Sequence, residues 1–154
     1  MIRKTFIIFI LFVCSKICFS QNVNLIIQVN EKLVYAEISE LYLIVNSGNE
    51  TQKIPVNYYP GDLVLDDKTW SIINSDTLNK ISLQFDYSTY KRNKHQIGNF
   101  SVELTKEKLK QPYLILKIYD FRSQKYKHWY QWQTDKDFLA ELTFPNSGIY
   151  IRRK

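Results

Sequence analysis

The chain is expected to fold as an all-β protein, an antiparallel β-sandwich. Three observations predict it. Apolar and polar residues alternate with period two along most of the sequence, as half-buried strands require. Turn-forming groups recur about every ten to fifteen residues, which spaces about eight or nine short strands. Aromatic residues make up 15% of the chain, and flat rings pack well across a pleated surface.

Val23, Leu25, Ile27 and Val29 alternate with Asn24, Gln28 and Asn30 and define the first strand. Leu41, Leu43 and Val45 form the next, up to the turn Asn46-Ser47-Gly48-Asn49. Ile54, Val56 and Tyr58 follow, and Pro60-Gly61-Asp62 ends the run. Ile81, Leu83, Phe85 and Tyr87 make a strand, then Phe100, Val102 and Leu104. Tyr113 to Phe121 is apolar on both faces between Tyr113 and Ile118, the pattern of a strand in the middle of a covered sheet. After a turn at Arg122-Ser123-Gln124, the segment Tyr126 to Gln133 is expected to answer it as a strand. Phe138, Ala140, Leu142 and Phe144 alternate again, and Asn146-Ser147-Gly148 turns into a last strand, Ile149 to Arg152.

Two segments invite helix. Glu31 to Leu41 also fits a helical stripe with Asn30 as cap, but the apolar run continues through Leu43-Ile44-Val45 without a stop, which favours strand. Residues 105–111 read as one helical turn capped by Thr105 and stopped by Pro112. The segment Pro112–Phe121 resembles those of exported immunoglobulin-like or transthyretin-like sandwiches. That resemblance implies architecture and no activity.

Residues 1–20 have the layout of a secretory signal peptide. Met1-Ile2-Arg3-Lys4 is basic, Thr5 to Val13 is apolar, and Cys18 and Ser20 are small residues placed before a cut at Gln21. The apolar run is interrupted by Lys16 and is shorter than the about 20 residues a membrane span needs. Val13 before Cys14 and Ile17 before Cys18 do not suit lipoprotein processing. The expected product is a single domain, 21–154, secreted or periplasmic, with no transmembrane span. Both cysteines leave with the leader, which removes disulfides, thiol nucleophiles and thiolate metal sites.

The full chain of 154 residues carries a formal charge of +6. Loss of Arg3, Lys4 and Lys16 leaves 18 basic against 15 acidic residues, a net +3. That charge is spread out and is no nucleic-acid footprint. The clusters Lys91-Arg92-Asn93-Lys94-His95 and Arg152-Arg153-Lys154 are short and read as a solvated loop and a solvated tail.

No catalytic constellation is visible. The only histidines are His95, in the basic loop, and His128. No nucleophile elbow, zinc-protease helix or phosphate loop occurs. Asp62, Asp66 and Asp67 cluster as a calcium loop would, but Leu63-Val64-Leu65 between them reads as strand, and turn chemistry explains the acids as well. Asp135 and Asp137 make a thinner pair. No cofactor is implied. A small hydrolase using Asp62, Asp66 or Glu141 with a histidine is the weaker alternative.

The most suggestive segment is Tyr126-Lys127-His128-Trp129-Tyr130-Gln131-Trp132-Gln133. On a strand, Lys127, Trp129, Gln131 and Gln133 share one polar face. Trp129 with Tyr130, Gln131 and Lys127 would form a platform for a sugar ring, unless the indoles simply pack in the core. The expectation is an exported non-catalytic binding or structural module, its partner a glycan or another envelope protein. The last strand offers an edge for a partner, guarded by the basic tail.

Overall fold

A computed structural model describes residues 21–47, 50–91 and 94–147. The expected leader, Gly48 and Asn49 of the first turn, Arg92 and Asn93 of the basic loop, and the expected last strand with its basic tail lie outside the described residues.

The fold is mostly β, three sheets with a few short helices in a sandwich-like arrangement, as expected. Eleven strands occur among the described residues: β1 (Gln21–Val23), β2 (Leu25–Val29), β3 (Lys32–Leu33), β4 (Ile38–Ser47), β5 (Glu50–Pro55), β6 (Asn57–Tyr59), β7 (Asp62–Leu65), β8 (Leu78–Lys91), β9 (Lys94–Leu104), β10 (Leu114–Asp120) and β11 (Phe138–Thr143). The surplus over the expected number comes from β1, β3 and β6, each of two or three residues. The helices are α1 (Asp67–Asn74), α2 (Lys106–Leu109) and α3 (Gln124–Tyr130), the last continued by a single 3-10 turn at Gln131–Gln133.

One four-stranded sheet has the order β5-β4-β8-β9 and another β11-β10-β2-β3, while β1-β7-β6 form a small third. Period-two alternation puts Leu41, Leu43 and Val45 of β4, Ile81, Leu83 and Phe85 of β8, and Phe100, Val102 and Leu104 of β9 on one buried face. Leu25, Ile27 and Val29 of β2 and Leu114, Leu116 and Ile118 of β10 belong to the same core, joined by Val23, Leu63 and Leu65 of the small sheet. The polar faces of these strands point away, so the alternation read from the sequence is the alternation of burial.

One pairing departs from the antiparallel expectation. β10 lies parallel to β2, with Leu114 opposite Leu25 and Ile118 opposite Val29, and antiparallel to β11. The chain builds the whole opposite layer between β2 and β10, so it re-enters this sheet by a crossover rather than a hairpin.

The turns follow local chemistry. Asn30 and Glu31 both have positive φ (52° and 66°) between the paired Val29 and Lys32, the geometry of a type I′ hairpin. Glu31 to Leu41 therefore contains no helix. Pro60-Gly61 links β6 to β7, with Gly61 at φ 99°, a conformation other residues rarely take. β4 bulges between Ser39 and Tyr42, where Glu40 has φ 49°. The backbone N–H of Val56 donates to the Leu41 carbonyl at this bulge, 3.2 Å away.

Thr105 caps α2 as expected, its hydroxyl accepting from the Lys108 N–H. Two helices were not foreseen. Asp66 caps α1 by accepting from the Thr69 N–H at 2.7 Å, and this helix buries Thr69, Trp70 and Ile73. α3 replaces the strand expected at Tyr126 to Gln133.

Hydrogen bonding at the α1 cap, from the Thr69 side chain first and its backbone N–H second, holds the Asp66 carboxyl below its ordinary pKa. The ionised cap therefore stabilises the fold above the ordinary carboxylate range, and this stabilisation is lost as pH falls through the lowered value. Asp66→Ala should melt at a lower temperature than wild type near neutral pH, and the gap should close in acid. Thermal melts across pH check this; a gap unchanged in acid would contradict it.

Candidate functional site

The strand reading of Tyr126 to Gln133 merged two helical stripes. On α3, Tyr126 and Tyr130 are one turn apart and face inward. They pack on Tyr119, at 5.6 and 4.6 Å between ring centroids, on the outer surface of β10. Phe121 and Leu139 complete this small second core. Lys127 and Gln131 form the next stripe, and His128 and Trp132 another. The expected platform is thus corrected: Lys127, Trp129 and Gln131 do not share a face, and Tyr130 points into the packing. The sequence carried a signal for this, the four-residue spacing of the two tyrosines behind Ser123, but the β-favouring aromatics masked it.

Trp129 is half-buried. Its ring meets those of Tyr126 and Tyr130 edge-on at 6.2 and 6.3 Å, and the Lys125 ammonium sits 4.8 Å above it. Glu31 tethers this corner, accepting from the Tyr126 hydroxyl at 3.0 Å and pairing with Lys125 at 3.3 Å. Those bonds lower the Glu31 pKa, the Tyr126 bond foremost. Burial, and then the charge of Glu141, push Tyr119 up to about 12, so it stays a neutral donor to Glu141 at 3.3 Å.

Trp132 is the freer indole, 80% exposed against 48% for Trp129. Its ring is nonetheless oriented, because Nε1 donates to the Trp129 carbonyl at 2.9 Å. With Gln124, Lys127, His128 and Gln131 it lines an open hollow of about 530 Å³.

Lys127 and Gln131 also line a neighbouring hollow of about 460 Å³, with Gly98, Asn99, Arg122 and Asp137. Arg122 is its fixed point. Nε lies 3.0 and 2.7 Å from the two carboxylate oxygens of the buried Asp120, and Nη2 pairs with the same group. The guanidinium lies against Gly98, where an added Cβ would stand 2.3 Å from Nη2, so the glycine is what admits it. Nη1 is buried, and no acceptor among the described residues meets it. Beyond Arg122 a third cleft, of about 660 Å³, is bounded by Lys32, Tyr87, Tyr90, Gln96 and Tyr126. No local pattern marks the meeting of Arg122 with Gly98, because it depends on the tertiary fold.

The remaining candidates disperse. Asp62 starts β7, Asp66 caps α1 and Asp67 opens its first turn, so the acids serve a hairpin and a helix. Among the described residues no three His, Cys, Asp or Glu side chains gather to hold a metal ion. Glu141 lies on β11, bonded to Tyr119. His95 stands on β9, not in a loop, with its ring 5.0 Å from that of Tyr90, and His128 lies exposed on α3. Neither histidine meets the proposed hydrolytic carboxylates in any hydrogen bond or ion pair among the described residues. No helix among them is long and apolar enough to cross a membrane.

No family model, no curated protein and no solved structure matches this chain. The functional reading rests on the geometry.

Removing Asp120 strands the Arg122 charge and frees the Arg122 N–H, which Asp120 Oδ1 accepts at 2.9 Å. Asp120→Ala should cost about 3 kcal/mol, the magnitude of breaking a buried pair from one side. Urea unfolding measures it; a loss below about 1 kcal/mol would show the pair behaves as a surface one.

Proposed function

We propose that the protein is an exported, non-catalytic binding module of the cell envelope that takes a carbohydrate ring on Trp132. The observation that carries this is an indole that is both exposed and oriented, bordered by the amides of Gln124 and Gln131 and the ammonium of Lys127. The apolar C–H face of a sugar stacks on such a ring, while amides and cations serve its hydroxyls. A ring held by its own N–H loses little freedom on binding, which favours affinity from a small contact. Trp129 serves this surface from behind: its packing on the two tyrosines fixes the helix that presents Trp132.

Export follows from the leader, with Gln21 as the first residue of the released chain. N-terminal sequencing of the exported protein should begin at Gln21; an exported chain starting at Met1 would refute the leader.

A glycan array followed by calorimetry tests the binding role. Trp132→Ala should weaken the detected sugar roughly tenfold or more, the scale of losing one stacked aromatic contact. Trp129→Ala should instead lower thermal stability. Unchanged sugar affinity in Trp132→Ala, or no sugar bound at all, would overturn the reading.

A further inference from the structure

The space between the layers continues past the apolar core. Along the β8–β9 hairpin the inward pairs run from Ile81 with Leu104 to Phe85 with Phe100, all apolar and buried. The same face goes on through Tyr87 with Gly98 and Thr89 with Gln96, so its last groups are a phenol, a hydroxyl and an amide. Opposite them stand Lys32, beyond the Asn30 turn, and the Asp120–Arg122 pair at the end of β10. The gap between is the cleft of about 660 Å³. We infer that this mouth of the sandwich is a second sugar site, which takes a neutral mono- or disaccharide through the Tyr87 hydroxyl, the Thr89 hydroxyl and the Gln96 amide. It shares no lining residue with the Trp132 hollow, so either site can fail without the other.

Tyr87 is the reason. It is 7% exposed, and tyrosines so buried ordinarily bond their hydroxyl. This hydroxyl has no hydrogen-bond partner among the described residues, and it opens on the cleft rather than being sealed beneath it. A partner supplied by a ligand would meet a group already held in place by its ring, which packs on Phe100 at 6.4 Å between centroids. Burial, and then the charges of Glu37 and Asp120, hold the Tyr87 pKa above its ordinary value, so the group stays neutral and both donates and accepts.

The neighbours have the same double capacity. The side chains of Thr89 and Gln96 line the cleft and make no hydrogen bond among the described residues. Sugar hydroxyls also donate and accept, and one ring carries several at adjacent positions, so a single ring can answer all three groups. Tyr90, 81% exposed, adds an aromatic ring at the rim. The charges around the cleft are of both signs, Lys32 and Arg122 against Glu37 and Asp120, which gives no net attraction to an acidic or a basic ligand.

The test is an NMR titration of the isotope-labelled protein purified from its expressing cell. The probes are glucose, N-acetylglucosamine and their β-1,4-linked dimers, with glucuronate as the acidic arm and triglycine as the peptide arm. A neutral sugar should move the amide signals of Tyr87, Thr89 and Gln96, the Gln96 side chain included. Tyr87→Phe keeps the buried ring and removes the hydroxyl. It should weaken this binding roughly fivefold or more and leave the melting temperature unchanged. Trp132→Ala should leave the cleft shifts in place. No shift at these three residues with any neutral sugar, or full affinity in Tyr87→Phe, overturns the site. A lower melting temperature in Tyr87→Phe shows that the hydroxyl serves the fold and overturns its role in binding. Larger cleft shifts with glucuronate or triglycine overturn the neutral-sugar class. Loss of the cleft shifts in Trp132→Ala overturns the separateness of the two sites.

Discussion

The pairing of β10 with β2 is the constraint on which the rest depends. Among the described residues it is the one parallel pairing, and it joins β2 to a strand that follows the whole opposite layer. The Asn30 turn secures it. Asn30 donates from its backbone to the Ile118 carbonyl at 2.8 Å, and its side chain accepts from the Asp120 N–H at 2.9 Å. Asn tolerates the left-handed backbone this turn needs and still offers an acceptor. With that register fixed, β10 presents Leu114, Leu116 and Ile118 to the core, Tyr119 to α3, and Asp120 to Arg122. One strand thus serves the core, the aromatic base of the site and its ion pair.

Magnitudes assign different roles to these contacts. Each fully buried Leu, Ile or Phe contributes about 1.5–3 kcal/mol, so the apolar layers carry the stability. The Asp120–Arg122 pair is of another kind. Burying both charges offsets much of their attraction, and such a pair adds little net stability even though breaking it is costly. Its effect is positional: it sets a guanidinium at the mouth of a hollow, pressed on the backbone of β9. Gly98 has no side chain because the guanidinium occupies that space.

The layers were legible in the sequence and the outer surface was not. Strands such as Ile81 to Tyr87 declare themselves because one buried face imposes period two, and burial follows that period residue by residue. The Thr105 turn was legible because a cap and a proline bracket it. α3 was illegible for a definite reason. Residues 126, 128, 130 and 132 fall together under period two, but a helix separates 126 and 130 from 128 and 132, and aromatic side chains favour the strand reading. α1 was missed because Asp66 and Asp67 read equally as turn acids. The parallel pairing and the meeting of Arg122 with Gly98 leave no local pattern, since each joins distant segments.

That division explains why the proposed site lies on the outer surface. The inner faces are consumed by packing. The outer face of β10 is covered only where Tyr119 calls for it, and the helix that covers it ends within two turns. The 3-10 turn that follows leaves Trp132 exposed, while Trp129 packs edge-on against the tyrosines. The two indoles, three residues apart, thus have different surroundings: Trp129 packs on the tyrosines, and Trp132 stands in the open. The bond from Trp132 Nε1 to the Trp129 carbonyl links them, passing the rigidity of the packed residue to the exposed one. A hydrogen bond spent in this way leaves the indole with only its π faces to offer, which suits it to stacking on a ligand rather than to donating to one.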